Sequence, residues 1–199
     1  MMKFSHNVFD SSLLFLPMLH LNFTPFPELV TPRLLLRQLN HADIPAIFFL
    51  RSDETVLQFI GREPAVSHKE AEDFIERVNK NATTNEGILW GITMKEHTAK
   101  VIGTICYWNL QPENYRAEIG YVLHPQYWRK GIMTEAIGAV LNYGFDVMKL
   151  HSIEGRIGAG NWASAAILEK TGFVKEAHLK EEFFFRGKFL DTIIYSRLQ

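Results

Sequence analysis

The chain has 199 residues, 47% of them hydrophobic and 22% charged, with a formal net charge of −1. That length fits one domain whose core needs neither disulfides nor metals, and the near-zero charge excludes a global basic field for nucleic acid. The single cysteine, Cys106, excludes an internal disulfide and suits a reducing cytoplasm.

No apolar run approaches the ~20 residues of a membrane-spanning helix. Residues 1–22 carry one early cation, Lys3, and a short apolar patch that Pro17, His20 and Asn22 interrupt. They read as a disordered leader, or an extension upstream of a start near Met18, rather than a secretory signal. The domain proper then spans 23–199. "TPRLLLRQL", residues 31–39, predicts a strand. "NHADIPAIFFLRSD" predicts a helix with a capped start, Pro45 in its first turn and apolar residues at Ile44, Ile47 and Phe48. Residues 60–66 form a Gly- and Pro-marked loop. Ser67, with Glu70 three places on, predicts a capping box on a second helix running to about Ala82.

Three strands follow, over 88–94, 101–110 and 116–123, joined by short polar links that imply an antiparallel meander. Cys106 falls in the second of them and reads as a small core residue. A helix over 132–147, a strand in "HSIEGRI", a short helix in "NWASAAILEKTGF" ended by Gly172, and two strands around Arg186-Gly187 complete the chain. A strand–helix–strand unit beside a meander implies parallel and antiparallel neighbours in one sheet. The fold class is therefore α+β (three-layer α/β in some schemes): a single mixed, mostly antiparallel sheet of six to seven strands with helices on both faces. His97, His124, His151 and His178 recur evenly, but their contexts share nothing and no H-x-x-x-H pair occurs, so neither a repeat nor a metal site follows.

Two glycine segments carry chemistry. In "WRKGIMTEA" the cations Arg129 and Lys130 precede a helix start, which already has unpaired N–H groups and a partial positive charge. That arrangement suits an anion such as a phosphate or pyrophosphate, with Gly131 allowing an unusual backbone turn. The second segment holds a formal G-x-G-x-x-A at Gly158, Gly160 and Ala163. A dinucleotide fold needs further strand–helix units beyond that point, and residues 161–199 provide only a helix and a hairpin.

"AEIGYVLHPQYWRKGIMTEAI" followed by "NWASAAILEKTGF" resembles the GNAT superfamily of N-acetyltransferases, closest to the ribosomal-protein-alanine (Rim-type) branch. "PRLLLRQL" and the Arg186-Gly187 hairpin fit the same group, and the resemblance covers residues 23–199. It implies acetyl-CoA as co-substrate, with no metal. The family's Q/R-x-x-G-x-G/A loop falls on Trp128, Gly131 and Met133, so two of its three positions depart from the pattern. The resemblance implies that amides of Arg129, Lys130, Gly131, Ile132, Met133 and Thr134 hold the pyrophosphate. Backbone groups of Tyr121, Val122 and Leu123 would hold the pantetheine arm, with Asn161 bonding it as well as capping its helix. The proton-donating Tyr of many members is Leu168 here, which makes Ser164 the substitute. Glu118 and Glu182 are the alternative general bases, with a one-residue slip from Glu182 reaching Phe183.

The expected reaction is acetylation of a primary amine by a direct ternary-complex mechanism. The acceptor expected is a protein N-terminal α-amine, as on a ribosomal protein, because an α-amine loses its proton more readily than a lysine. A small amine or antibiotic is an alternative acceptor, and a non-catalytic acyl-CoA-binding module is an alternative of another class. Phe59, Gly61 and Arg62 would line the acceptor's approach. No nucleic acid or membrane partner is expected, and the chain would be a monomer or homodimer.

Overall fold

The computed structural model describes residue 19 and residues 21–199; the expected leader falls largely on residues 1–18 and 20, outside the described residues. Eight strands form one sheet in the order β1-β2-β3-β4-β5-β6-β8-β7. They are β1 (Leu29–Val30), β2 (Leu34–Arg37), β3 (Ile88–Met94), β4 (His97–Gln111), β5 (Arg116–Leu123), β6 (Ser152–Gly158), β7 (Val174–Phe185) and β8 (Lys188–Leu198). The helices are α1 (Ile44–Ser52), α2 (Glu54–Leu57), α3 (His68–Thr83), α4 (Ile132–Asn142) and α5 (Trp162–Lys170). Every neighbouring pair is antiparallel except β5–β6, which is parallel and linked through α4.

The meander and the mixed sheet agree with the sequence reading. The count is one strand higher because Thr31 and Pro32 set a two-residue β1 apart from β2; proline has no N–H for the ladder. The period-two alternation of strands builds the two faces. Ile88, Trp90 and Ile92 of β3 enter one core with Ile137, Val140 and Leu168 of α4 and α5. Leu89, between them, enters a second core with Ile47, Leu50, Ala71 and Ile75 of α1 and α3. Cys106 packs partly buried against that second core.

Local chemistry fixes the approach to α1 and the start of α3. A 3-10 turn over His41–Asp43 leads into α1, and it is capped: the Asn40 side chain accepts from the Ala42 N–H, and the Asp43 carboxylate accepts from the Asn40 N–H at 2.8 Å. Asp43 is 2% exposed and is gripped by both ends of the Arg37 guanidinium at 2.8 Å. Ser67 caps α3 by accepting from the Glu70 N–H at 3.3 Å. The other half of the predicted capping box closes one residue early, on the Val66 N–H.

The predicted helix over 132–147 departs from regularity at its end. α4 passes into a π turn over Tyr143–Val147. The buried Tyr107 hydroxyl donates to the Val140 carbonyl at 2.9 Å, where a regular helix would continue with the Gly144 N–H. A Cβ on Gly144 would stand 2.4 Å from that hydroxyl oxygen. Gly144→Ala is therefore expected to destabilise the protein by about 1–3 kcal/mol in denaturant unfolding. Adding Tyr107→Phe should recover part of that loss, whereas additive losses would remove the Tyr107 hydroxyl as the cause.

Candidate active site

The parallel pairing of β5 with β6 covers only Arg116 to Ile119 against Ser152 to Gly155. Both strands continue, β5 to Leu123 and β6 to Gly158, each paired only on its outer side. Beyond Ile119 they part, leaving a slot between residues 120–123 and 156–158 whose facing backbone groups have no strand partner. Buried or half-buried amides without partners call for a ligand with amides or carbonyls of its own.

The loop after β5 closes the open end of the slot. Arg129 and Gly131 take positive φ, +59° and +70°, a turn that points successive N–H groups toward one concavity. α4 then begins with no side chain capping its first turn, so the N–H groups of Ile132, Met133 and Thr134 are available at a helix N-terminus. Arg129 and Lys130 are exposed beside it. Trp128 and Met133, where the family pattern is broken, have structural roles. The Trp128 indole donates to the Leu123 carbonyl at 2.7 Å and stitches the loop to β5. Met133 is 4% exposed in the core.

Two residues that sequence reasoning missed hold this loop. Glu135 of α4 accepts from the Thr31 hydroxyl at 2.5 Å and from Arg33, backbone at 2.9 Å and side chain at 2.6 Å. Arg33 also donates to the Lys130 carbonyl at 3.0 Å. Burial raises the Glu135 carboxyl, but these donors outweigh it and hold it below its ordinary range. No local signal joins "TPR" to a glutamate about a hundred positions away; a helix-start Glu next to a cation-rich loop was the only hint.

Across the slot, Tyr121 of β5 and Ser164 of α5 share a hydrogen bond of 2.6 Å. Ser164 is 7% exposed. Burial pushes the Tyr121 hydroxyl up to about 12, against the opposing effect of Ser164. Asn161 does cap α5, accepting from the Ser164 N–H at 3.1 Å. Leu168 is wholly buried, and a Cβ on Gly155 would touch it at 3.2 Å.

The two candidate bases occupy different environments. Glu118 pairs laterally with Trp108 of β4 and Glu154 of β6, one residue before the strands part. Strand alternation puts it on the α1/α3 face, opposite Tyr121. It is 6% exposed, and its pKa is pushed up to about 7. Burial is the main cause; Glu154 and Glu182 add to it, while Arg156 and the Asn109 side chain oppose it. Glu182 instead binds the Arg156 guanidinium on the surface of β7. A hydrogen bond from Thr192, helped by the hydrogen bond and charge of Arg156, holds its carboxyl below the ordinary range against the opposing effect of burial. Glu182 is thus committed to Arg156 and Thr192, while Glu118 stands in the paired stretch next to the slot.

A cavity of about 450 Å³ adjoins the end of β6. Phe59, Gly61 and Arg62 line one wall, Gly158 the floor, and Leu190 and Asp191 of the β7–β8 hairpin the other wall. The α2–α3 loop is clamped to this hairpin. A Cβ on Gly61 would lie 2.1 Å from Phe183, and Arg186 pairs with Glu63. Among the described residues, no group of three or more His, Cys, Asp or Glu could hold a metal, and no helix is long and apolar enough to cross a membrane.

A split parallel pair, with an uncapped helix start at its open end and a carboxylate and two hydroxyls alongside, offers unpaired amides to a ligand with amides and an anionic group of its own. Comparison with known proteins makes the class specific. Residues 33–174 match the family described as "Acetyltransferase (GNAT) domain". The chain is 37% identical over 171 residues to "Uncharacterized N-acetyltransferase YoaA" of Bacillus subtilis, covering 86% of this chain and 96% of that protein. Its structure resembles that of spermidine N-acetyltransferase from Vibrio cholerae in complex with CoA and spermine, with TM-score 0.75, 27% identity, and 85% and 97% of the two chains covered. The fold also matches RimL, a ribosomal L7/L12 α-N-protein acetyltransferase solved with coenzyme A, with TM-score 0.78, 20% identity, and coverage of 86% and 98%.

The chain belongs to the GNAT acetyltransferase family and is an acetyl-CoA-dependent N-acetyltransferase. If the Glu135 network shapes the pyrophosphate loop, Arg33→Ala should weaken acetyl-CoA binding about fivefold in calorimetry while the acceptor KM stays unchanged. Unaltered acetyl-CoA affinity would make that network a matter of stability alone.

Proposed function

We propose that the acceptor is the N-terminal α-amine of a protein, such as a ribosomal protein, and that acetyl transfer is direct within a ternary complex. The observation that carries this reading is the carboxylate at the vertex of the slot, Glu118, whose pKa of about 7 lies close to that of an α-amine. An α-amine titrates near 7.7–8.0 and a lysine near 10.4, so a base of this strength suits the former.

Acetyl-CoA supplies an electrophilic thioester carbonyl. The free edge of residues 120–123 aligns the pantetheine arm, and the amides of Arg129, Lys130, Gly131, Ile132, Met133 and Thr134 receive the pyrophosphate. Asn161 holds α5 so that Ser164 meets Tyr121. One hydroxyl of this pair donates to the other, which leaves a single O–H, that of Ser164 in this reading, to donate to the sulfur as it becomes a thiolate. Glu118, on the opposite face of β5, accepts the proton released by the amine, directly or through one water. Positioning by the slot contributes the larger part of the rate. Two opposite faces of one strand thereby keep the proton donor and the proton acceptor apart.

Release of free thiol from acetyl-CoA in the presence of peptides and of spermidine tests the acceptor. Turnover of peptide α-amines above spermidine is expected, and spermidine preferred over every peptide would overturn the reading. Glu118→Gln should lower kcat about 10²–10⁴-fold and leave a kcat/KM profile whose acid side follows the acceptor amine alone, at about 7.7–8.0, without the second ionisation near pH 7. A variant profile that keeps both ionisations would take Glu118 out of the mechanism.

The same carboxyl has a signature in stability. The folded state holds its proton more tightly than the unfolded chain, so its contribution favours folding below the ordinary value of 4.5 and is lost as pH rises through about 7. At pH 8, Glu118→Gln should therefore raise stability, by about 1–2 kcal/mol, in urea unfolding. A loss of stability at that pH would contradict the burial argument.

A further inference from the structure

Three arginines that act on one another, Arg51, Arg62 and Arg77, form no salt bridge among the described residues, and one of them, Arg62, lines the cavity. Arg51 lies near the end of α1, where its carbonyl accepts from the Ala65 N–H of the α2–α3 loop at 2.8 Å. Arg62 belongs to that loop and lines the cavity. Arg77 lies on α3. The Arg51 guanidinium stacks over the Phe74 ring at 4.0 Å, and that of Arg77 approaches the same ring at 5.3 Å. The Nε atoms of Arg51 and Arg62 are buried with no hydrogen-bond partner. Burial, with Arg62 and Arg77 adding repulsion, lowers Arg51 to about 10; burial and Arg77 lower Arg62 as well.

The acids nearby are engaged elsewhere. Glu63 pairs with Arg186. Asp191 is bound by His178 at 2.6 Å and by the Glu181 N–H at 2.9 Å. Glu70 acts on Arg51 from a distance, but its carboxylate is turned to the Val66 N–H. Glu54 also lines the cavity, exposed and on the side of Arg186, on which it acts electrostatically. Burying like charges without partners costs stability, and groups that break such a rule concentrate at functional sites. A bidentate, planar donor left open in a cavity wall is suited to a carboxylate.

We propose that the acceptor carries a carboxylate close to its reactive amine, and that this carboxylate seats on Arg62, with Arg51 behind it. The proposal rests on the acetyl-transfer reading above and narrows its substrate class. Arg62 shares the cavity with Gly158, the last residue of the parted β6, so an amine directed into the slot brings its neighbouring group past this wall. A polycationic acceptor would meet an uncompensated like charge there, which is penalised. The carboxylate has two chemical sources: an acidic side chain at the second or third position of a polypeptide N-terminus, or the α-carboxylate of a free amino acid.

The test uses the full chain with paired acceptors. Peptides beginning Ser-Glu are compared with those beginning Ser-Gln, and serine is compared with serinamide. A preference for the carboxylate member of about tenfold or more in kcat/KM, mainly through KM, is expected, and the pair that shows it identifies the source. Arg62→Gln should bring that ratio close to one, with Arg62→Lys restoring part of it. Acetyl-CoA affinity of the variants, from calorimetry, reports whether they are folded. Binding of the N-acetylated Ser-Glu and Ser-Gln peptides to the CoA-saturated protein is measured in parallel. If no amine is acetylated but the Glu peptide binds more tightly, the function reading falls and the carboxylate site stands. If acetylation proceeds equally with both members of both pairs, or favours the uncharged ones, the carboxylate site is overturned and the function reading stands.

Discussion

The molecule depends on one interruption of backbone hydrogen bonding. β5 and β6 pair for four residues each and then separate. Peptide groups that a closed sheet would satisfy internally are left for a ligand, whereas the interruptions in β3–β4, β4–β5 and β7–β8 are local register shifts after which pairing resumes. Parallel strands run in the same direction, so the chain leaves both arms at the same end. The loop after β5 and the helix after β6 are therefore delivered to the mouth of the slot together. The first brings the helix start and its cations; the second brings Ser164 to Tyr121.

Strand alternation then distributes the chemistry. Tyr121 faces α4 and α5, while Glu118 faces α1 and α3, where burial and the acidic neighbours Glu154 and Glu182 keep its proton affinity high. The same face carries the Arg116–Glu154–Arg156–Glu182 chain of ion pairs, whereas Glu118 has no salt bridge among the described residues and is hydrogen-bonded by the Asn109 side chain. Acceptor-side elements, the α2–α3 loop and the β7–β8 hairpin, are clamped to each other by Phe183 over Gly61 and by Arg186 on Glu63.

Much of this was legible in the sequence because it is local. Period-two runs marked seven of the eight strands, Asn40 and Ser67 marked helix starts, and the cations before Ile132 pointed to an anion. Elements of two and four residues, β1 and α2, lie below what periodicity can mark. The π turn was hidden because it comes from a Tyr107 hydroxyl across the sheet. The Arg33–Glu135 anchor and the Tyr121–Ser164 pair were hidden for the same reason: each joins segments far apart in the chain. The different environments of Glu118 and Glu182, one buried and one bound to Arg156, are fixed only by the assembled sheet.

Amide hydrogen exchange with and without acetyl-CoA tests the central claim most directly. If the parted strands and the α4 start form the co-substrate site, amides in residues 120–123 and 132–134 slow together on saturation, while those of the paired stretch 116–119 change little. Unchanged exchange in both segments, or protection centred on another part of the fold, would contradict the account.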